Sequence, residues 1–395
     1  MENKVINWWE LEPSVHLKLT KEYLIFLRST RKNSGILLSN IAEELKVHEG
    51  DIYSWENGSR GITTGHLIKL LDILGLSKLD VYGKIEGIYT AGKRFMILKP
   101  SLPFEIKEQH IQILAHGIFD GTEEHANSGK IGLVYESGKK LEQEMFRKLV
   151  LNCNFGKFRM NKNWHAYYRF PATLTQILMY YYKFNSLHSR KAVFPVKIME
   201  EVKYNEKLRK LILKAAFVDE GSCGYNKVRD NVCVFSSVNP ILIKQICYIL
   251  RLMEYSFFTN KPKNNCESIY LHAESLPKFY KDVIVLLPKD YYKRINIELL
   301  LKKQERESNI QTQLKVLEKV IIEQGYIKIY QVQKLLNLHE ASARRRIGRL
   351  VRESIIVKKF RGFYEATQSS KKNRYYSRRK SSLCKKNGLT SMERS

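Results

Sequence analysis

At 395 residues the chain exceeds one ordinary domain, and a hydrophobic content of 44% is too high for an intrinsically disordered one. Lys and Arg number 68 against 40 Asp and Glu, and the resulting net charge of +28 favours a polyanionic partner, nucleic acid before an anionic membrane surface. No apolar run approaches the roughly eighteen residues of a membrane span, the 6 cysteines form no CxxC pair, and HExxH, GxxxxGK[ST] and GxGxxG are all absent. A membrane protein, a zinc ribbon, a disulfide scaffold and a P-loop or dinucleotide enzyme are thereby disfavoured. The start, MENKVINWWELEPS, lacks the basic-then-apolar order of a signal peptide, so a cytoplasmic protein with reduced thiols is expected.

In chain order, residues 18–77 read as a compact helical unit. LLSNIAEELKV places Ile41, Ala42, Leu45 and Val47 at helical spacing. The turn HEGD follows, with Asp51 as the expected N-cap. IYSWENG then stops at Gly58, and HLIKLLDILGLS forms another amphipathic helix ending at Gly75. This order resembles the Cro/C1-type helix-turn-helix family. The resemblance implies that the helix near residues 49–57 enters a DNA major groove, with Glu49, Gly50, Asp51 and Ser54 at the reading positions. Two of these are acidic; an acid can accept from cytosine but repels phosphate, so a protein-contact module is the other reading. Residues 78–105 alternate like a small hairpin connector, and Pro100 and Pro103 punctuate its end.

Residues 106–303 contain an internal duplication. The first copy, 106–204, orders the helix ILAHGIF, the strand KIGLVYES, the helix KKLEQEMFRKLVLN, the strands GKFRM and HAYYRF, and the helix TLTQILMYYYKF. The second, 205–303, orders LILKAAFV, NVCVFSS, NPILIKQICYILRLM, EYSFFT, ESIYLHA and SLPKFYKDVIVLL in the same way. Each predicts helices laid on one face of a four-stranded sheet, whose other face is free for a duplex. Residues 311–366 supply the helix LKVLEKVIIEQGYI, which stops at Gly325, two shorter helices in QVQKLLNL and EASARRRIGRLVRES, and the hairpin IIVKKFRGFYEAT. That order resembles a winged-helix domain. Arg344, Arg345, Arg346 and Arg349 crowd its second short helix, and Lys358, Lys359 and Arg361 its wing; phosphate would relieve their mutual repulsion. Residues 367–395 read as a basic disordered tail.

The duplication aligns Ala115 with Ala215, Asp120 with Glu220, Gly121 with Gly221 and Thr122 with Ser222, all at an offset of 100 residues. Small residues let two helices approach closely, which would bring the acids together at their ends. The glycines read as ordinary left-handed residues past a helix C-terminus. A carboxylate there opposes the helix dipole at a cost of about 0.3–1 kcal/mol, two together repel, and a divalent cation such as Mg²⁺ resolves both problems.

In the acid-glycine motifs and the αββαββα order the chain resembles the LAGLIDADG homing endonucleases in their single-chain, two-repeat form, over roughly residues 106–303. That resemblance implies a pseudo-twofold saddle whose motif helices form the central interface, with Asp120 and Glu220 as catalytic metal ligands over the scissile phosphates. It also implies a basic residue near the centre, for which Lys191 in HSRKAVFP and its repeat mate Lys293 in DYYKRINI are the candidates. His116 and Gly117 depart from the usual apolar motif, and a shifted register would put Thr122 at the metal position. The expected fold is thus α+β and multidomain: helix-turn-helix, paired saddle repeats, winged helix, tail. The expected protein is a monomeric, sequence-specific binder of double-stranded DNA with no small-molecule cofactor. It is either a Mg²⁺-dependent endonuclease or a catalytically retired scaffold serving as a transcription regulator. RNA is a third partner, less suited to two helix-turn-helix-type modules.

Overall fold

The structure, a computed structural model, describes residues 4–90, 96–125, 131–137, 139–153, 155–158, 167–169, 172–184, 191–223, 232–260, 265–360 and 363–367. The chain divides into two compact units, Met1–Ile297 and Glu298–Ser395.

The first unit begins with β1 (Val5–Ile6), β2 (His16–Leu19), α1 (Lys21–Asn33), α2 (Leu38–Leu45), α3 (Glu49–Glu56), β3 (Ile62–Thr63) and α4 (Thr64–Leu74). Threonines start two of these helices: Thr20 caps α1 by accepting from the Tyr23 amide, and Thr63 caps α4 through the His66 amide. The helices close over Leu24, Leu27, Ile41, Leu45, Ile52, Trp55, Leu67 and Leu71. The buried Arg31 guanidinium grips Glu56 through both carboxylate oxygens, at 2.6 and 3.1 Å, and so clamps α1 to α3. The N-cap of α3 is His48, not Asp51. Asp51 sits inside the first turn, where it favours the helix dipole and pairs with Arg60 at 2.7 Å.

The hairpin expected within 78–105 is formed by β4 (Ile85–Tyr89) and β5 (Ile97–Leu98), and it is built into a larger sheet. That sheet is five-stranded and ordered β3-β2-β4-β5-β9, while β6 (Phe104–Glu105) pairs with β1. The helical unit therefore does not start at residue 18; β2, just before it, lies at the heart of this sheet.

Next come α5 (Glu108–Asp120), β7 (Gly121–His125), β8 (Ile131–Glu136), α6 (Lys140–Leu151), β9 (Lys157–Phe158), β10 (Tyr167–Arg169) and α7 (Ala172–Tyr182). A helix absent from the sequence-based expectation, α8 (Val196–Tyr204), precedes α9 (Glu206–Asp219), β11 (Ser222–Cys223), β12 (Val232–Ser237), α10 (Pro240–Leu252), β13 (Phe257–Asn260), β14 (Glu267–Leu271) and α11 (Leu276–Asp282). After α9 the four-stranded sheet is ordered β11-β12-β14-β13. After α5 the described strands run β10-β8-β7, and β9 leaves for β5, with Ile97 opposite Phe158. Gly156 makes that detour possible: its φ is +122°, and a Cβ there would lie 2.8 Å from the Leu98 carbonyl.

The helix expected from residue 311 is longer. α12 runs unbroken over Tyr292–Gln324, so no linker separates 303 from 311. In the second unit it is followed by β15 (Tyr326–Lys328), α13 (Ile329–Leu336), α14 (Glu340–Arg352), β16 (Ile356–Phe360) and β17 (Phe363–Ala366), with sheet order β15-β17-β16. Gly325 ends α12 at φ +79°, as its position suggested. Leu314, Leu317, Ile321, Ile327, Val332, Ala343, Ile347, Leu350 and Ile356 form the core of this unit. Arg361 and residues 368–395 of the expected basic tail lie outside the described residues, as does the side chain of Lys359.

Candidate functional site

α5 is buried without a break from His110 to Phe119, and α9 buries Leu208, Ile212, Leu213 and Ala215 to Val218. α5 is interior along most of its length, α9 turns an apolar stripe inward, and these two pack on each other. Ala115 and Ala215 are fully buried, as close approach requires. Two sets of polar contacts fix the relative direction. At the N-terminal ends, Glu108 accepts from Asn205 Nδ2 and Lys207 Nζ, both at 3.2 Å. Near the C-terminal ends, His116 Nδ1 lies 2.8 Å from Asp219 Oδ2. The helices are therefore parallel, and their C-termini, with Asp120 and Glu220, emerge at the same end.

The glycines after the acids are not left-handed caps. Gly121 has φ −89° and opens β7 directly, opposite Tyr135. Gly221 is absent from the positive-φ residues, but a Cβ on it would sit 2.5 Å from the Phe217 carbonyl oxygen and ring. Both helices turn straight into strands, so close approach, not φ, selects glycine at 221.

Asp120 is exposed. Glu220 is half-buried and has no hydrogen-bond or ion-pair partner among the described residues. Burial, then the neighbouring Asp219, pushes its carboxyl up to about 7, while Lys293 pulls the other way. Asp219 itself has a different task. Its fully buried carboxylate accepts from His116 Nδ1 and, at 2.9 Å, from the Tyr135 hydroxyl. Burial and that carboxylate together hold the Tyr135 phenol protonated. The histidine that departs from the motif is thus the α5 half of an interhelical hydrogen bond.

Lys293 departs from its expected role as the group that polarises water or steadies phosphate charge. Only 4% exposed, it donates to the Phe217 and Val218 carbonyls at 2.8 and 2.6 Å. It satisfies two of the open carbonyls at the end of α9 and complements the negative end of the helix dipole there. Burial lowers its ammonium to about 8, with Glu142 pulling upward. Glu142, buried, accepts from the Ser137 and Tyr291 hydroxyls at 2.6 and 2.8 Å. Lys191 is exposed. Phe194, three residues on, meets Phe119 edge-on at 5.8 Å, which brings this segment to the end of α5. Asp219, Tyr135, Glu142 and Tyr291 were missed in the sequence reading; the only available signal was the acid doublet in VDEGS and the odd histidine opposite it.

Of the positions carried on α3, Glu49 and Gly50 are exposed, Asp51 is tied to Arg60, and the Ser54 hydroxyl donates to the Gly50 carbonyl at 2.7 Å. Neutralisation of Asp51 by Arg60 leaves that surface less acidic than its sequence. On α14, two of the arginines are paired without phosphate, Arg344 with Glu340 and Arg349 with Glu353; Arg346 donates to Gln313 at 2.8 Å, and burial followed by the charges of Arg349 and Arg345 lowers its pKa. Arg345 is exposed, with no hydrogen-bond partner among the described residues, and Lys358 is exposed on β16. On the open side of the β11–β14 sheet, Phe258 stacks on Tyr270 with ring centroids 5.4 Å apart, and His272 lies 5.1 Å from Phe258.

Among the described residues, no group of three or more His, Cys, Asp and Glu could hold a metal, and no helix is long and apolar enough to cross a membrane. Cys153, Cys223, Cys233, Cys247 and Cys266 are free. No protein-family model and no curated protein matches the chain. Among solved structures it is similar to the homing endonuclease I-DmoI in complex with DNA and Mn, with 13% identity over 45% of this chain and 97% of that one and a TM-score of 0.30. I-WcaI bound to its DNA recognition sequence matches at 17% identity over 48% and 86%, with a TM-score of 0.34. Full-length DUF199/WhiA from Thermatoga maritima matches at 9% over 64% and 93%, with a TM-score of 0.32.

Proposed function

We propose that the chain is a sequence-specific double-stranded DNA-binding protein built on a LAGLIDADG-like core of two pseudo-twofold repeats. The observation that carries this reading is the parallel α5–α9 pair, whose fully buried alanines and polar ties at both ends bring Asp120 and Glu220 to one end. The matched strand orders after each helix support it, since β7, β8 and β10 correspond to β11, β12 and β14. The helical unit at 18–77 acts as a Cro/C1-type helix-turn-helix and the 311–366 segment as a winged helix, each extending the contact. With a net charge of +28, phosphate attraction supplies the affinity that base contacts then make selective.

The acid pair suits a divalent cation. Glu220 is a desolvated carboxyl with no hydrogen-bond or ion-pair partner among the described residues, raised by burial and by Asp219, and a cation would offset both effects. Asp120 and Glu220 would hold Mg²⁺, with water and DNA phosphate completing its oxygen shell. The cation would supply Lewis-acid stabilisation of the phosphate and a more acidic water. Asp219 is not a ligand, because His116 and Tyr135 already occupy it. His116 and Lys293 instead position the α9 end, one through the Asp219 carboxylate and the other through two carbonyls.

A catalytically retired core in a transcription regulator is the second reading. It is favoured by the commitment of Lys293 to helix capping and by the raised Glu220 carboxyl, which weakens metal binding at neutral pH. Selection of bound duplexes from a random pool, followed by incubation of the winners with Mg²⁺, separates the two. Cleavage of both strands, abolished with binding intact in an Asp120→Ala/Glu220→Ala variant, supports the nuclease. Winners left uncut support the scaffold. No enriched sequence would overturn the shared reading, and a collapse of affinity in the double variant would make the two acids structural.

A further inference from the structure

A cleft of about 420 Å³ lies between α5, α6, α9 and the Leu286–Pro288 segment. That volume is within the roughly 300–1,000 Å³ of small-molecule sites. Leu149, Val218 and Leu287 give it an apolar wall, and Gln112, His116 and Lys214 add polar groups. Lys214 is the unusual one. It has no hydrogen-bond or ion-pair partner among the described residues. Burial lowers its ammonium pKa, and no neighbouring carboxylate offsets that effect. Glu142 also lines the cleft, but its carboxylate already accepts from Ser137 and Tyr291. Lys148, at the rim, is largely exposed and 4.0 Å from Glu144. A desolvated cation without a counter-charge, in a cleft with an apolar wall, is an incomplete ion pair.

We infer that this cleft binds a small organic anion, with its carboxylate or phosphomonoester head on Lys214 and the Gln112 amide and its apolar body against Leu149, Val218 and Leu287. The site is separate from the acid-bearing helix ends. It meets them through Val218, which precedes Asp219 in α9, and through His116, whose Nδ1 holds Asp219 while its Nε2 lies 3.5 Å from the Gln112 amide nitrogen. An occupant would therefore bear on the α5–α9 pair.

Isothermal titration of the full chain, without DNA, tests this with octanoate, phenyl phosphate and the neutral octan-1-ol. At least one anion should bind at one site per chain, at least about tenfold more tightly than octan-1-ol, as expected of a charge-assisted contact. The arm that binds identifies the head group, and binding by both leaves the anion as the shared determinant. Lys214→Met should weaken the anions at least about tenfold and spare octan-1-ol, whereas Lys214→Arg should keep anion binding. Leu149→Trp, which fills the cleft while leaving the lysine, should weaken all three, and this holds as the test if Lys214→Met fails to fold. Absence of anion binding, undiminished binding in Leu149→Trp or Lys214→Met, or dependence on Lys148 in place of Lys214 would overturn the inference.

Discussion

Asp219 and Glu220 are adjacent carboxyls at the end of one helix, yet their removal should change stability in opposite directions. The Glu220 carboxyl rises from an ordinary 4.5 to about 7 through burial and its neighbour's charge. At about 1.4 kcal/mol per pH unit, that rise bounds the cost of holding it ionised at about 3 kcal/mol. Its half-buried position leaves water to screen part of this, so about 1–2 kcal/mol is expected. Because the folded-state pKa lies above the unfolded one, the contribution is fully present below 4.5 and is lost as pH rises through about 7. Glu220→Gln should therefore match the parent near pH 4.5 and exceed it by about 1–2 kcal/mol at pH 8. Asp219→Ala does the reverse, leaving the buried His116 and Tyr135 donors without an acceptor, at a cost of about 3–5 kcal/mol. Urea unfolding followed by far-UV circular dichroism at both pH values is the assay. The two units can unfold separately, so the relevant transition is the one that Asp219→Ala moves. A Glu220→Gln variant less stable than the parent at pH 8, or a neutral Asp219→Ala, would refute the division of labour between these acids.

His110 opposes Glu220 in the same range: burial lowers its imidazole to about 4, so its contribution is present above 6.5 and is lost as pH falls through 4. His110→Phe should flatten the acid side of the stability profile by up to about 3 kcal/mol, read as a difference from the parent in urea unfolding. Gly221→Ala must displace the Phe217 backbone and should destabilise by about 1–3 kcal/mol, whereas Gly348→Ala, in open space on α14, should be neutral or slightly stabilising. Arg345→Ala should weaken DNA binding about equally across sequences and lower the salt-dependence slope by about 1; an unchanged slope in a filter-binding titration would remove α14 from the interface.

Most elements could be read along the chain, because helix and strand periodicity are local. The helices α2, α3 and α4, the two buried helices ahead of the acid-glycine pairs, and the stop at Gly325 followed by two helices and a hairpin all occur where residue spacing indicated, whereas α1 was not read. Failures fell where a partner is distant. The connector hairpin was legible but its pairing with β2, some seventy residues earlier, was not, and β9 chose β5 over its own sheet through backbone pairing that no side-chain pattern records. Lys293 looked like a basic residue free to act on phosphate until α9's carbonyls occupied it.

By itself, then, the sequence determined the element types, the duplicated acid-glycine motif and the excess positive charge, since each is written in neighbouring residues or in their sum. Only the tertiary structure decided that α5 and α9 run parallel, that Asp219 is a buried tie while Glu220 is the unsatisfied acid, and that Lys214 lines a cleft without a counter-charge. Those outcomes are set by which groups lose water and which find a partner. Both depend on contacts between positions about a hundred residues apart, such as His116 and Asp219.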